Sequence, residues 1–259
     1  MTILKKIIVE KRKEIIQRKT ATPIAELVNS PNYERKCISL KQRLLANIMG
    51  IIAEVKRKSP SKERIKQNAD AAKIAYGYCQ NGAAGISILT DKLFFGGTPE
   101  DLIAARKVVN CPILRKDFII DAYQLYEAKA MGADVILLIA AALSPGETEK
   151  LATLAKNLGM EVLLEIHNED ELLHINQFVD MVGVNNRNLK TFDVNIETSK
   201  KLAALIPDEF VKISESGISD TETIIELSQY DYRGFLMGES FMKEANPPLK
   251  LKEFINTLQ

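Results

Sequence analysis

Tryptophan is absent from this chain of 259 residues, and histidine and cysteine are scarce. The three cysteines, Cys37, Cys79 and Cys111, lie far apart and form no CxxC or Cys/His pattern. This spacing argues against a disulfide scaffold and against a structural zinc site, so the cysteines are expected to be small core residues. The two histidines, His167 and His174, also lack metal-ligand spacing and are expected at the surface or at helix caps. No metal site is predicted.

Long apolar runs and an excess of charge of one sign are also missing. The longest apolar run, residues 135–143, is far shorter than the roughly 20 residues of a membrane span. Residues 1–15 mix Lys and Glu with apolar residues at helical spacing, which is unlike a secretory signal. The 35 Lys and Arg nearly balance the 34 Asp and Glu, so no basic footprint favours nucleic acid. These absences predict a cytoplasmic protein that binds a small molecule and neither nucleic acid nor a membrane.

Short apolar runs bounded by turn residues recur along most of the chain and alternate with helical stretches. One such stretch, residues 121–131, is closed by Gly132, a residue typical of a left-handed helix cap. Near-continuous apolar strands alternating with helices indicate a parallel sheet covered by helices, and eight units favour a closed (β/α)₈ TIM barrel. A doubly wound open sheet remains the alternative, because the pattern does not show closure. The eight predicted strands are 51–56, 85–89, 112–116, 135–139, 161–166, 181–185, 210–214 and 234–238.

The first 48 residues have a different texture, with high charge and helical periodicity. Ile3, Ile7, Ile8 and Ile15 fit one helix face, and Pro23 is expected to begin a second short helix. No linker rich in Pro, Gly or Ser divides the chain. We therefore predict a single domain over 1–259, with a helical extension over 1–48 and the barrel over 49–259.

Ionisable or amide side chains fall at the carboxyl ends of several predicted strands, where barrel enzymes carry their active sites. Residues two apart on a strand share a face, so Lys116 continues the inward-facing series of Leu114, and Glu165 continues that of Leu163. Charges that converge in this way cost desolvation unless a ligand uses them. The strand-end set is Glu54, Lys56, Lys116, Glu165, Asn185, Glu215 and Ser216.

Two late segments are suited to bind phosphate. Residues 214–218 lead into a capping-box pattern at 219–222, and residues 238–242 open a short helix after the eighth strand. Backbone N–H groups at glycine turns and helix N-termini form anion sites, which barrels often place after strands seven and eight. Neither segment is a Walker loop or GxGxxG, so a nucleotide cofactor gains no support.

Two loops near the predicted mouth leave two interpretations open. Residues 57–63 are basic and polar, and they suit either a loop that closes over an anion or an ordinary solvated surface. The aromatic residues Phe95 and Phe118 follow strands two and three. They suit either local packing or contact with an aromatic substrate.

Four motifs in this order resemble those of the indole-3-glycerol phosphate synthase family, and the resemblance covers essentially the whole chain. The motifs are IAEVK at 52–56 with SPSK at 59–62, LRKDF at 114–118, NNRNL at 185–189 and SESGI at 214–218. The resemblance implies a carboxy-lyase of tryptophan biosynthesis that closes the indole ring. Its substrate would be 1-(2-carboxyphenylamino)-1-deoxyribulose 5-phosphate, no cofactor would be used, and a free-standing chain would be a monomer.

The resemblance also implies roles for individual residues. Lys116 would be the general acid of ring closure, and Glu165 the base or proton partner of the later dehydration. Lys56 would lie near the substrate carboxylate or phosphate, and Glu54 would keep the lysines charged and oriented. The remaining implied residues are Asn185, Arg187 and Glu215 for substrate positioning, Ser216, Gly217, Gly238 and Glu239 for phosphate, Phe95 and Phe118 for the anthranilate ring, and Ser59 on a mobile loop.

Three positions depart from the family pattern: Glu63 where Gly is frequent, Asn188 where Asp is frequent, and Glu239 beside the expected phosphate site. The side chain of Glu239 is expected to point away from the phosphate. Two rival hypotheses remain, an isomerase of the phosphoribosylanthranilate type and a catalytically silent barrel that binds a phosphorylated ligand or a partner protein. The first would need Cys and Asp at strand ends, and the second would have no use for Lys56, Lys116 and Glu165 together.

Overall fold

The computed structural model describes residues 2–47 and 49–258 and contains a closed barrel of eight parallel strands. Each strand pairs with the next, and the last pairs with the first, so that Ile52 lies beside Leu236. The TIM barrel prediction is therefore confirmed, and the open-sheet alternative is wrong. The strands are β1 Gly50–Val55, β2 Gly85–Leu89, β3 Ile113–Lys116, β4 Val135–Ile139, β5 Glu161–Ile166, β6 Met181–Asn185, β7 Val211–Glu215 and β8 Tyr232–Met237.

Helices connect the strands and form the outer layer. The predicted cap at Gly132 is confirmed, since this residue has φ 94° and ends the helix that follows β3. The helices are α1 Ile3–Ala21, α2 Ile24–Leu27, α3 Leu40–Leu45, α4 Ala71–Gln80, α5 Lys92–Phe95, α6 Pro99–Arg106, α7 Tyr123–Met131, α8 Pro145–Asn157, α9 Glu197–Ala203, α10 Thr221–Ser228, α11 Glu239–Met242 and α12 Pro247–Leu258. Short 3₁₀ turns span Ala140–Ala142 and Glu169–His174.

The barrel interior is filled by alternate strand residues, and helix α3 closes its lower end. Leu40 and Leu44 of α3 are buried in the same apolar cluster as Ile52 and Leu163. Leu44 packs so closely on β1 that a Cβ at Gly50 would lie 2.6 Å from Leu44 Cδ2. A larger residue at position 50 would therefore require the Leu44 side chain to shift.

Helix α1 lies against the barrel with a mixed face. Ile7 and Ile15 are buried, whereas Ile3 and Ile8 are only half-buried. Lys11 is also buried, at 2% exposure, on the same face as Ile7 and Ile15. Pro23 precedes the first turn of α2, as the sequence predicts. Among the described residues, no helix has the length and apolar character that a membrane crossing requires.

The cysteines only partly match the prediction of core positions. Cys111 is buried, and Cys37 and Cys79 are half-buried at the edge of the outer core. Burial raises the pKa of the Cys111 thiol, with Cys79 as its neighbour.

Candidate active site

A cavity of about 370 Å³ opens at the carboxyl ends of the strands. Every site residue expected from the sequence lines this one cavity, although the chain positions span more than half of the sequence. The sequence prediction that these side chains meet at the barrel mouth therefore agrees with the geometry. They are Glu54, Lys56, Ser59, Phe95, Lys116, Phe118, Glu165, Asn185, Arg187, Glu215, Ser216, Gly217, Gly238 and Glu239.

Lys116 lies at the centre of the charged side chains. It is the last residue of β3, and its side chain extends inward above Leu114. Its Nζ lies 2.5 Å from Glu215 Oε2 and 3.3 Å from Glu165 Oε2. Burial by itself would lower the pKa of Lys116, but Glu215, Glu165 and Glu54 together raise it above its usual range. These carboxyl groups therefore hold Lys116 as a protonated ammonium.

A second ion pair lies at the end of β1. Lys56 Nζ lies 2.5 Å from Glu54 Oε1, and the Glu54 side chain is almost fully buried. Burial would raise the pKa of Glu54, but Lys56 and Lys116 outweigh it and lower the pKa below its usual range. We refer to Glu54, Lys56, Lys116, Glu165 and Glu215 as the mouth cluster.

Glu165 is held on both of its carboxylate oxygens. Oε2 faces Lys116, and Oε1 accepts a hydrogen bond of 3.1 Å from Asn185 Nδ2. Asn185 Oδ1 in turn accepts the backbone N–H of Arg187, which fixes the orientation of the amide. Burial would raise the pKa of Glu165, but Lys116, His167 and Asn185 lower it well below the ordinary carboxyl value. Glu165 is therefore an ionised carboxylate that faces the cavity.

Glu215 shows the opposite behaviour. Its Oε2 contacts Lys116, but its buried Oε1 has no hydrogen-bond partner among the described residues. Burial and the nearby charge of Glu165 raise the pKa of Glu215 to about 7. The mouth cluster places three carboxyl groups around two lysines, and Glu215 is the carboxyl group that titrates near neutral pH.

His167 was expected at the surface or at a helix cap, and this expectation is wrong. The ring is mostly buried, with Nε2 3.3 Å from Glu165 Oε1 and Nδ1 3.2 Å from Glu171 Oε2. His167 follows β5 two residues after Glu165, so strand parity alone predicts that both side chains project to the same face. His174 is also buried, and its Nδ1 contacts Thr148 Oγ1 at 2.9 Å.

The two segments expected to bind phosphate lie next to each other at the cavity. Ser216 and Gly217 both have positive φ, 67° and 77°, and they turn the chain sharply after β7. Asp220 caps the following helix by accepting the N–H of Thr223 at 2.8 Å. A Cβ at Gly238 would lie 2.8 Å from Glu54 Oε1, so only glycine fits there without displacing the mouth cluster.

Glu239 directs its side chain toward the loop after β1. Its Oε1 accepts a contact of 2.7 Å from Lys62 Nζ across the mouth. The same loop is anchored by Arg57, whose guanidinium contacts Asp101 and the Gly96 carbonyl. Ser59 lies between these anchors and lines the cavity, so this part of the loop borders the mouth, whereas residues 60–64 are exposed.

The aromatic residues and helix α1 form the apolar walls. Phe95 and Phe118 have ring centroids 5.9 Å apart and border the cavity together. Three residues of α1, Ile3, Leu4 and Ile7, also line the cavity. The sequence did not identify this wall, because helical periodicity indicates a buried face but not the element that it covers.

The family model described as indole-3-glycerol phosphate synthase matches residues 4–254. A protein of that name from Bacteroides thetaiotaomicron is 49% identical over 257 residues, which are 99% of this chain and 99% of the relative. A protein of the same name from Salinibacter ruber is 43% identical, over 95% of this chain and 93% of the relative. Another from Bordetella pertussis is 39% identical, over 98% of each chain.

Solved structures with little sequence similarity share the barrel. KGPDC from Streptococcus mutans superposes with a TM-score of 0.61 at 13% identity, over 80% of this chain and 96% of that chain. A chain of the tryptophan synthase complex from Pyrococcus furiosus gives a TM-score of 0.60 at 15% identity, over 82% of this chain and 98% of that chain. At this identity the similarity supports the fold alone.

Proposed function

The chain belongs to the indole-3-glycerol phosphate synthase family, and we propose that it converts 1-(2-carboxyphenylamino)-1-deoxyribulose 5-phosphate to indole-3-glycerol phosphate in tryptophan biosynthesis. The reaction is that of a carboxy-lyase, in which ring closure is followed by loss of CO₂ and of water. The observation that carries the proposal is the contact of 3.3 Å between Lys116 and Glu165, a proton donor and a proton acceptor at one cavity.

Lys116 is the proposed acid of ring closure. When an aromatic carbon attacks the substrate ketone, the ketone oxygen becomes an alkoxide, which is a far stronger base than an amine. An ammonium at that oxygen therefore protonates it as the bond forms. The closed ring carries an iminium that accepts the electrons of the departing CO₂, so we propose that no cofactor is needed.

Glu165 is the proposed base of the dehydration, in which a ring proton and the new hydroxyl group leave. Its ionised state suits this role, since a base must be deprotonated before it acts. Lys56 is proposed to contact the substrate carboxylate or phosphate, and Glu54 to hold Lys56 charged and oriented through their contact of 2.5 Å. The two lysines are candidates for the proton that the leaving hydroxyl requires.

The remaining proposed roles concern binding. Asn185, Arg187 and Glu215 are proposed to orient the substrate and its hydroxyls. Oε1 of Glu215 has no partner among the described residues and is available as an acceptor. Phe95 and Phe118 are proposed to contact the anthranilate ring. The phosphate is proposed to bind at Ser216, Gly217, Gly238 and Glu239 through backbone N–H groups, with Ser59 of the covering loop on the opposite side.

The assay that tests the proposal follows indole fluorescence after purified protein is mixed with the carboxyphenylamino substrate. Because the chain has no tryptophan, its own emission leaves the indole signal unobscured. We expect the signal to rise without added metal or cofactor. Folded protein that binds the substrate but gives no signal would favour the catalytically silent barrel.

The finer features of the proposal are a phosphorylated small-molecule substrate, a monomeric state and a cytoplasmic location. We also propose that residues 1–259 fold as one domain, with the extension over 1–48 and the barrel over 49–259. Sedimentation of the assayed protein tests the monomer, and a single cooperative unfolding transition would support the one-domain organisation.

A further inference from the structure

Glu165 has an ionic neighbour that the proposed mechanism does not use. His167 Nε2 lies 3.3 Å from Glu165 Oε1, the oxygen that does not face Lys116. Nε2 has no hydrogen-bond partner among the described residues, so its contact with Oε1 is one of charge. Glu165 therefore lies between two cationic side chains, one on each carboxylate oxygen.

The His167 ring is fixed from its other side by Glu171. Glu171 Oε2 lies 3.2 Å from His167 Nδ1 and accepts the backbone N–H of His167 at 2.7 Å. Glu171 Oε1 accepts a further hydrogen bond of 3.0 Å from Asn168 Nδ2. Both ring nitrogens thus face carboxylates, and this arrangement suits an imidazolium, in which both nitrogens carry protons.

A second cavity lies beside His167 and Glu171 and adjoins the main cavity, with which it shares Asn185 and Arg187. Its walls come from helix α1, with Lys5 and Ile8, and from the loop after β6, with Arg187. Burial would raise the pKa of Glu171, but His167 and Asn168 lower it and so favour its ionised form. Glu171 in turn favours the cationic form of His167.

Charge balance in the mouth cluster supports a cationic His167. Above the pKa of Glu215, which is about 7, the cluster holds three carboxylates against the two ammonium groups of Lys56 and Lys116. A third positive charge beside Glu165 then offsets the excess. Burial by itself would lower the pKa of His167, but Glu165 and Glu171 raise it to about 10. The ring is therefore charged at neutral pH.

We infer that His167, fixed in place by Glu171, is a positioning residue that holds the Glu165 carboxylate ionised and oriented toward the cavity. This inference rests on the proposed role of Glu165 as a base. His167 contacts Glu165 but does not itself line the cavity at Lys116, so it acts through Glu165.

The kinetic test is the pH profile of the variant His167→Gln. Glutamine retains an N–H donor but removes the positive charge. The acid limb of the pH profile of kcat reflects the protonation of Glu165. Lys116 also favours the ionised form of Glu165, and the nearby carboxyl groups of Glu54 and Glu215 oppose it. Loss of one neighbouring cation should move that limb to higher pH by about one to three units. Glu171→Gln should move it in the same direction by less. A merely structural role would lower kcat evenly across the profile.

His174→Gln is the matched control, because His174 is equally buried but contacts Thr148 and faces none of the mouth cluster. Its acid limb should coincide with that of the native enzyme. Unchanged limbs in both His167→Gln and Glu171→Gln would overturn the inference. If His167→Gln does not fold, Glu171→Gln and the native enzyme still provide the test.

A second test needs no turnover. The chain has only two histidines, so imidazole NMR signals are assigned by recording His174→Gln alone. We expect His167 to titrate far above the usual pH of about 6.5, and to titrate lower in Glu165→Gln. A native His167 that titrates near 6.5, or one that is insensitive to Glu165→Gln, would refute the pairing. An enzyme without synthase activity but with this NMR coupling would instead remove the proposed function and leave the pairing intact.

Discussion

Two carboxyl groups at the top of the barrel are equally buried and behave in opposite ways. Asp117, one residue past β3, accepts contacts from Lys11, Arg115 and Thr90 at 2.7 to 2.9 Å. These partners outweigh burial and lower the pKa of Asp117 well below its usual range. Among the described residues, Glu215 has Lys116 as its one cationic contact and an oxygen without a partner, and its pKa rises to about 7.

The difference arises because consecutive residues at the end of β3 point in opposite directions. Arg115 and Asp117 point outward, where Lys11 of helix α1 joins them with Asp91, and we refer to these four residues as the anchor cluster. Lys116, between them in the sequence, points inward to the mouth cluster. The anchor cluster satisfies its carboxylates within the fold. The mouth cluster leaves an acceptor unsatisfied, as expected of a site that a ligand completes.

The largest expected effect tests the function of the mouth cluster. Lys116→Met keeps the aliphatic stem and removes the acid, so we expect kcat to fall by about 10²- to 10⁴-fold while substrate binding is largely retained. The measurement is steady-state indole fluorescence together with calorimetric binding. Lys58→Met is the control, because Lys58 contacts the Leu93 carbonyl at the surface. Unchanged turnover in Lys116→Met would refute Lys116 as the general acid.

The counterpart in the anchor cluster should affect stability more than turnover. Lys11→Met leaves buried carboxylates without their cation, which should reduce the free energy of unfolding by about 3–5 kcal/mol. Urea unfolding measures this loss. Lys13→Met, on the same helix but in an exposed pair with Glu10, should cost less than about 0.5 kcal/mol. Equal losses in the two variants would show that the buried pair contributes no more than a surface pair.

The anchor cluster also predicts the sign of the acid dependence. Because the folded pKa of Asp117 is depressed, its stabilisation is present above the ordinary carboxyl pKa of about 4 and is lost as the pH falls through the folded value. Lys11→Met removes the first of the cations that lower this pKa. Its unfolding free energy should therefore decline less steeply with acid than that of the native protein.

The sequence predicted much of the mouth cluster and little of the anchor cluster, and the reason is physical. Strand parity places Lys116 and Glu165 on the inner face, and the strand ends then bring them together without further information. The partners of Lys11 within the anchor cluster, Asp91 and Asp117, lie about eighty to a hundred residues away. A buried lysine also contradicts the usual preference of that residue for the surface. His167 was predictable by the same parity, since it follows Glu165 by two residues.

A smaller effect is expected for the pH dependence of stability that Glu215 causes. Because the folded pKa of Glu215 is raised, native stability should decline as the pH rises from about 4.5 to 7, and Glu215→Gln should lack this decline. The difference in unfolding free energy between pH 5 and pH 8 should change by on the order of 2–3 kcal/mol. Glu209→Gln, at an exposed position before β7, should match the native protein. A native-like decline in Glu215→Gln would place the titration on another group.

The smallest effect should come from an ion pair at the rim of the same mouth. Lys62 and Glu239 are 48% and 41% exposed, although their contact of 2.7 Å is as short as those of the anchor cluster. Water screens such a pair, so the coupling energy from a double-mutant cycle of Lys62→Met and Glu239→Gln should be about 0.2–1 kcal/mol. It should shrink further in high salt. A coupling energy above about 2 kcal/mol would mean that the loop over the mouth excludes water from this pair. The exposed fraction of the side chains would then not explain the difference between the rim pair and the anchor cluster.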